Sequence, residues 1–157
     1  CSIGCLTCTG SSSTNCTTCD TAANRVLTGG NSCPCNVGFY DAGVLNCGTC
    51  SLGCTTCTST STTSCTACDT AANRVLTGGN SCPCAPRFYS TGVLACSACS
   101  IGCLTCTGSS STNCTTCDTA ANRVLQNNSC SCAVGFFDTG VLLCSACSSA
   151  MLGCIEC

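Results

Sequence analysis

The chain has 157 residues, 27 of them cysteine, while charged residues make up only 6% of it. Cysteine at that density marks a disulfide scaffold and places the chain in an extracellular or cell-surface setting. With no lysine or histidine, four arginines (Arg25, Arg74, Arg87 and Arg123) and a net charge of −2, no basic patch can grip phosphates. Nucleic acid and anionic membrane surfaces are therefore excluded as partners. No apolar run approaches the roughly 18 residues of a membrane span.

The elements follow in chain order. Cys1 to Cys8 is a tight cluster around Gly4, and Thr9 to Asn15 is a Ser/Thr-rich loop. Next, "CTTCDTAANRVL" leads to Gly29 and Gly30, a turn between a short strand at Val26–Leu27 and its partner at Ser32 to Cys35. In "GFYDAGVL", the residues Asp41, Ala42 and Gly43 read as a three-residue hairpin turn between Phe39–Tyr40 and Val44–Leu45. No stretch has the periodicity of a helix. The block then restarts. Cys1 to Leu27 is letter-for-letter Cys99 to Leu125, and Cys19 to Cys35 is letter-for-letter Cys68 to Cys84. The third copy has Gln126, Asn127, Asn128 and Ser129 where the first two have "TGGNS", one residue fewer at the hairpin tip.

The expected domains are cysteine-rich repeats at 1–49, 50–98 and 99–146, with the start of a fourth at 147–157. The fold class is a small disulfide-rich tandem repeat: a rod-like array of short β-ribbons and loops with little or no helix and no single large core. Each copy has few large apolar residues, in the first Ile3, Leu6, Val26, Leu27, Val37, Phe39, Tyr40, Val44 and Leu45. That is too little to fold on hydrophobicity alone, so disulfides must supply much of the order. The chain begins on a cysteine without a visible leader and reads as a window of a longer protein.

Catalytic parts are missing from the sequence. Histidine, the usual general base, is absent, and Asp20, Asp69, Asp118, Asp41 and Asp138 are scattered singly, with Glu156 the only glutamate. Asp20 reads as a turn residue or as the partner of Arg25. Phe39–Tyr40, Phe88–Tyr89 and Phe136–Phe137 are expected to pack on neighbouring cystines as a mini-core; the alternatives are a regular ladder of sticky aromatics and a mixture with one ring in and one out. The two pairs Cys5–Cys8 and Cys16–Cys19 have the Cys-x2-Cys spacing of a zinc site, but the seven-residue spacer is short for a zinc ribbon. The expectation is no enzyme, no metal and no cofactor. Asn15, Asn113 and Asn127 head Asn-x-Ser/Thr triplets, the acceptor pattern for N-linked glycans.

The order Cys-x3-Cys-x2-Cys-x7-Cys-x2-Cys, a longer loop, a cysteine before "GFY" and a final Cys-x2-Cys resembles the furin-like repeats of growth-factor-receptor cysteine-rich domains. It is also similar to the tandem arrays of ciliate surface proteins. The chain departs from receptors at Cys33-Pro34-Cys35, where one residue rather than three separates the cysteines. Eight cysteines allow on the order of a hundred connectivities, so spacing alone selects none. The resemblance implies Cys1–Cys8, Cys5–Cys16, Cys19–Cys33 and Cys35–Cys47 in the first repeat. In the second it implies Cys50–Cys57, Cys54–Cys65, Cys68–Cys82 and Cys84–Cys96. In the third it implies Cys99–Cys106, Cys103–Cys114, Cys117–Cys130 and Cys132–Cys144. It adds Cys147–Cys157 and leaves Cys154 to a cysteine further on. In this scheme bending is limited to short joints such as Gly48–Thr49.

Interchangeable repeats, scarce charge and covalent pinning lead to the expectation of an extracellular structural protein that self-associates into a coat, stalk or fibre and carries glycans. The resemblance supports a different reading, a receptor or adhesin ectodomain that binds a protein or glycan ligand.

Overall fold

The computed structural model describes residues 1–147. The fourth repeat, the bridge Cys147–Cys157 and the partner of Cys154 fall on positions outside the described residues. The chain forms two compact units, Cys1–Pro83 and a second that begins at Cys84.

In the first unit, β1 (Cys5–Cys8) and β2 (Cys16–Cys19) form an antiparallel ribbon, with Cys5 opposite Cys19 and Cys8 opposite Cys16. Two threonines separate the inward cysteines of "CTTC", one too many for strict alternation. Register shifts on either side of the Thr7–Thr18 pair absorb the extra residue. Cys16 and Cys19 face in, and Thr17 and Thr18 face out. Asp20 then caps a single 3-10 turn at Thr21–Ala23, accepting from the amides of Ala22 (3.1 Å) and Ala23 (3.3 Å). Asn24 closes that turn in the left-handed region at φ 60°.

Two further strands, β3 (Phe39–Tyr40) and β4 (Gly48–Thr49), pair antiparallel. The expected hairpin of Phe39–Tyr40 with Val44–Leu45 is therefore corrected. The carbonyls of Val44 and Leu45 are taken by a buried arginine, and the chain must travel on to Gly48 to find free ladder groups. Gly48 lies under the Tyr40 ring, where a Cβ would come within 2.5 Å of the ring atoms. The Gly48–Thr49 joint is thus a paired strand rather than a loose link. It leads into the next repeat through hydrogen bonds from Gly38 N to Thr55 O (2.8 Å) and from Cys50 N to Gly38 O (2.9 Å). The unit ends with β5 (Cys54–Cys57) and β6 (Cys65–Cys68), which repeat the β1–β2 ribbon.

The second unit opens with β7 (Phe88–Tyr89) paired to β8 (Ser97–Ala98). The first-ribbon motif returns as β9 (Cys103–Cys106) with β10 (Cys114–Cys117). It then has a pair the first unit lacks, β11 (Arg123–Gln126) with β12 (Ser129–Cys132), before β13 (Phe136–Phe137) and β14 (Ser145–Ala146).

The expected strand at Val26–Leu27 forms only in this third copy; in the first, the segment is reduced to one bridge, Arg25 with Cys35. Two local differences explain it. Pro34 has no N–H and cannot donate to the ladder, whereas Ser131 at the matching place can. The first copy also turns through Gly29, Gly30 and a left-handed Asn31 (φ 53°), with Thr28 bonded to Ser32 across it. The third turns in two residues, Asn127 and Asn128, both at positive φ (49° and 59°). That two-residue geometry matches strand twist and extends the pairing.

Among the described residues there is no α-helix, and the buried clusters are built of cystine. The three aromatic pairs are half-buried or exposed, so neither ring of a pair fills a core. The few large apolar residues of the first repeat are largely outside: Ile3, Leu6, Val26, Leu27, Val37, Val44 and Leu45 are all exposed.

Candidate functional site

Twelve disulfides have both partners among the described residues. Cys1–Cys8, Cys5–Cys16, Cys19–Cys33 and Cys35–Cys47 close the first repeat. Cys50–Cys57, Cys54–Cys65, Cys68–Cys82 and Cys84–Cys96 stand at the matching positions of the second. Cys99–Cys106, Cys103–Cys114, Cys117–Cys130 and Cys132–Cys144 do so in the third. Cα separations of 5.2 to 5.8 Å fall in the range a disulfide spans without backbone displacement. Their number calls for an oxidising compartment.

The sulfurs also cluster, but not as the Cys-x2-Cys spacing suggested. Cys5, Cys16 and Cys33 bring their Sγ atoms within 4.8 Å of one another, as do Cys54, Cys65 and Cys82, and Cys103, Cys114 and Cys130. Cys8 and Cys19 stand outside these groups. Each clustered sulfur belongs to a cystine, and a soft metal is bound by thiolates.

At the centre of each repeat, where a larger domain has leucines, there is an arginine. Arg25 and Arg123 are 3% and 2% exposed, and Arg74 is likewise buried. Glycine at positive φ makes room for each stem. A Cβ on Gly4 would meet Arg25 Cδ at 1.9 Å, and one on Gly102 would meet Arg123 Cδ at 2.4 Å. Arg25 donates from Nε to Leu45 O (2.8 Å), from Nη1 to Cys33 O (3.0 Å) and from Nη2 to Val44 O (2.7 Å). Its two Nη groups also reach both carboxylate oxygens of Asp41, at 3.2 and 3.3 Å. Arg123 repeats this set with Leu142 O, Cys130 O, Val141 O and Asp138. A buried cation is tolerable only when its donors are satisfied, and the carbonyl cage does that.

Asp41, not Asp20, is therefore the partner of Arg25, and this corrects the second of the two roles read for Asp20. The Asp20 carboxylate acts on the turn, and Asp20 meets Arg25 only through its backbone carbonyl, which accepts from Arg25 N at 3.2 Å. The Arg25 hydrogen bond, aided by the Gly43 amide, holds the Asp41 carboxyl below its ordinary range. Arg123 and the Gly140 amide do the same for Asp138. In the second repeat Ser90 occupies the place of Asp41. The sequence carried a signal for this cage: arginine recurs at 25, 74 and 123, always with glycine at 4, 53 and 102, in a chain almost free of charge.

The remaining carboxylates do local work. Asp69 caps its 3-10 turn by accepting from Ala72 N (3.2 Å). Asp118 makes no such bond and instead pairs with Arg87 of the preceding repeat. Arg87 holds a left-handed conformation (φ 69°) where the other copies have Gly38 and Gly135. A depression of about 550 Å³ beside Arg25 is lined by Ser2, Ile3, Ser13, Ser32, Pro34 and Asp41. Its only ionic groups are Arg25 and Asp41, which already satisfy each other.

The three glycan-acceptor candidates stand in two environments. Asn15 and Asn113 are half-buried at the entry to β2 and β10. Asn127 is exposed at the tip of the β11–β12 hairpin.

Val44, Val93 and Val141 are exposed at one matching position; Leu45 and Leu94 are exposed beside them, whereas Leu142 in their place is half-buried and Leu143, one residue on, is exposed. Ile3, Leu52 and Ile101 are exposed at another matching position, and Val37 and Val134 reach 70% and 81%. Exposed apolar side chains thus recur once per repeat on a surface nearly without charge.

Comparison with protein-family models, with characterised proteins and with solved structures finds no match for this chain.

Proposed function

We propose that this chain is part of an extracellular structural protein that self-associates through its repeated apolar surface into a coat, stalk or fibre. The carrying observation is that large aliphatic side chains are exposed at equivalent places in successive repeats, with so few charges to keep copies apart. Contiguous exposed apolar surface marks an interaction surface, and on this reading the recurring aliphatic residues form it. A weak contact made once per repeat gains strength from its neighbours along the same chain, because each bond raises the effective concentration of the next.

Disulfides and the arginine cage fit this reading. They give each repeat its rigidity from within, using covalent bonds and backbone acceptors, and so leave the aliphatic residues outside. The furin-like resemblance is in keeping with an extracellular array of this type. No helix among the described residues is long and apolar enough to cross a membrane.

Electron microscopy of natively isolated material, prepared without reductant, tests the proposal. Filaments or sheets with a spacing tied to the repeat are expected. Separate, unassembled chains bound to another protein or a glycan would overturn it in favour of a receptor or adhesin ectodomain.

A further inference from the structure

Asn15, Asn113 and Asn127 satisfy the same short pattern, but the fold treats them differently. We infer that Asn127 is the N-glycan acceptor of the folded chain and that Asn15 and Asn113 stay bare. The inference rests on the extracellular reading above, because the modification belongs to a secretory route.

At Asn15 each part of the triplet is in use. Its Nδ2 lies over Gly10, where a Cβ would come within 2.2 Å of that nitrogen, so one side of the amide is closed by backbone. Its carbonyl accepts from Thr9 N (2.9 Å). Cys16, the middle residue, is 1% exposed and bridged to Cys5. The Thr17 hydroxyl, which a glycan-transferring enzyme must read, sits 2.6 Å from the Thr7 hydroxyl across the ribbon. Asn113 has the same surroundings in an independent copy. Nδ2 would be 2.3 Å from a Cβ on Gly108, Cys114 is buried and bridged to Cys103, and Thr115 is 2.6 Å from Thr105.

The Asn127 triplet is more open: it contains no cystine, and its ties are the Asn128 carbonyl, which accepts from Cys114 N at 3.0 Å, and half-buried Ser129, paired with Gln126. Asn127 is exposed at the first position of a two-residue turn, followed by exposed Asn128 and then Ser129, which opens β12. No cysteine lies within the triplet, so disulfide closure does not compete with modification. The acceptor is also specific to one repeat. The first two copies carry a turn of Gly29-Gly30-Asn31 or Gly78-Gly79-Asn80, and each asparagine there is followed by Ser-Cys rather than by a residue and then Ser or Thr. The third copy is one residue shorter at the tip, which tightens the hairpin, and has Asn127 where the other copies have glycine, which creates the acceptor.

The reaction consumes a polyprenyl-pyrophosphate-linked oligosaccharide. Asn127 Nδ2 forms a bond to the anomeric carbon of the first sugar. The bond from that carbon to the pyrophosphate oxygen breaks, the lipid pyrophosphate leaves with the electron pair, and Nδ2 gives up one proton.

The test is expression of the full chain in a eukaryotic secretory pathway, with digestion of both retained and exported pools without reduction. Treatment with a glycan-releasing amidase in heavy-oxygen water converts an occupied asparagine to labelled aspartate. Label is expected at Asn127 and absent at Asn15 and Asn113. Ser129→Ala, which leaves the turn asparagines in place, should abolish the label with the disulfide map unchanged. Asn15→Gln and Asn113→Gln should leave it intact. A disulfide-bonded chain bare at Asn127, or one labelled at Asn15 or Asn113, overturns the inference while the assembly proposal stands. Failure to form filaments overturns that proposal and leaves the label result unaffected.

Discussion

Replacing Arg25 by methionine keeps an unbranched stem beneath Gly4 and deletes every donor of the guanidinium. The change strips partners from the carbonyls of Cys33, Val44 and Leu45 and from the Asp41 carboxylate. Hydrogen bonds to a charged group contribute about 1.5–3 kcal/mol each, but the values do not add. Asp41, Val44 and Leu45 are exposed, so water can replace the arginine at those acceptors, while Cys33 is buried. The net loss should be about 3 kcal/mol, which is a little over a hundredfold in an opening equilibrium. The Cys35–Cys47 disulfide still tethers the loop, so the damage should stay local. Native-state hydrogen exchange reads it. The Cys47 amide, bonded to Ala23 O at 3.1 Å, should exchange about a hundredfold faster in Arg25→Met. The Cys16 amide, bonded to Asn31 O, should change little. Protection of Cys47 within about threefold of the parent would refute the claim that arginine serves as the centre of the repeat.

Three further outcomes follow from the same geometry. Asp41 and Asp138 have carboxyls held below their unfolded values, so their contribution is fully present above the unfolded carboxylate range near about pH 4 and is lost as pH falls through the lowered value. Exchange protection around residues 41–47 and 138–144 should therefore fall in acid. The matching loop with Ser90 should show no such step, and equal acid sensitivity in all three would contradict the assignment. Gly4→Ala places a methyl 1.9 Å from Arg25 Cδ at φ +81° and should sharply reduce the yield of correctly oxidised chain, whereas Gly29→Ala, with nothing within 4 Å, should not. Arg87→Gly removes a left-handed side-chain position costing about 1 kcal/mol and an exposed ion pair of similar or smaller worth. Stability to denaturant should stay within about 1 kcal/mol, and a much larger loss would mean that the Asp118 pair holds the two repeats together.

The fold class was legible because cysteine recurs with a fixed period and the apolar content is too small for a conventional core. The details were lost where one residue changes the local bookkeeping of hydrogen bonds. Pro34 removes a donor from a segment whose Val26–Leu27 otherwise reads as a strand, and Ser131 restores it in the third copy. The sequence "DAGVL" reads as a hairpin until Arg25 claims the Val44 and Leu45 carbonyls from a distance of about twenty residues. Such a long-range partner leaves no trace in local propensity. Asp20 lies near Arg25 in sequence and so reads as a turn residue or as its partner; the structure gives Asp20 the cap and gives the ion pair to Asp41, sixteen residues beyond the arginine. Disulfide connectivity was beyond the spacing alone and entered only with the receptor resemblance. The shortage of apolar residues and the need for disulfides are legible in the sequence, but the exposure of the aliphatic residues is not, because it follows from cystines and a guanidinium filling the interior.

The central claim is that these repeats assemble through their exposed aliphatic residues. Sedimentation velocity of the oxidised chain over a concentration series tests it most directly, beside a variant carrying Val44→Asp, Val93→Asp and Val141→Asp. The account predicts that the parent shifts to large species as concentration rises while the variant, with its disulfide map intact, stays monomeric. A parent that remains monomeric throughout, or a variant that assembles equally well, would contradict it.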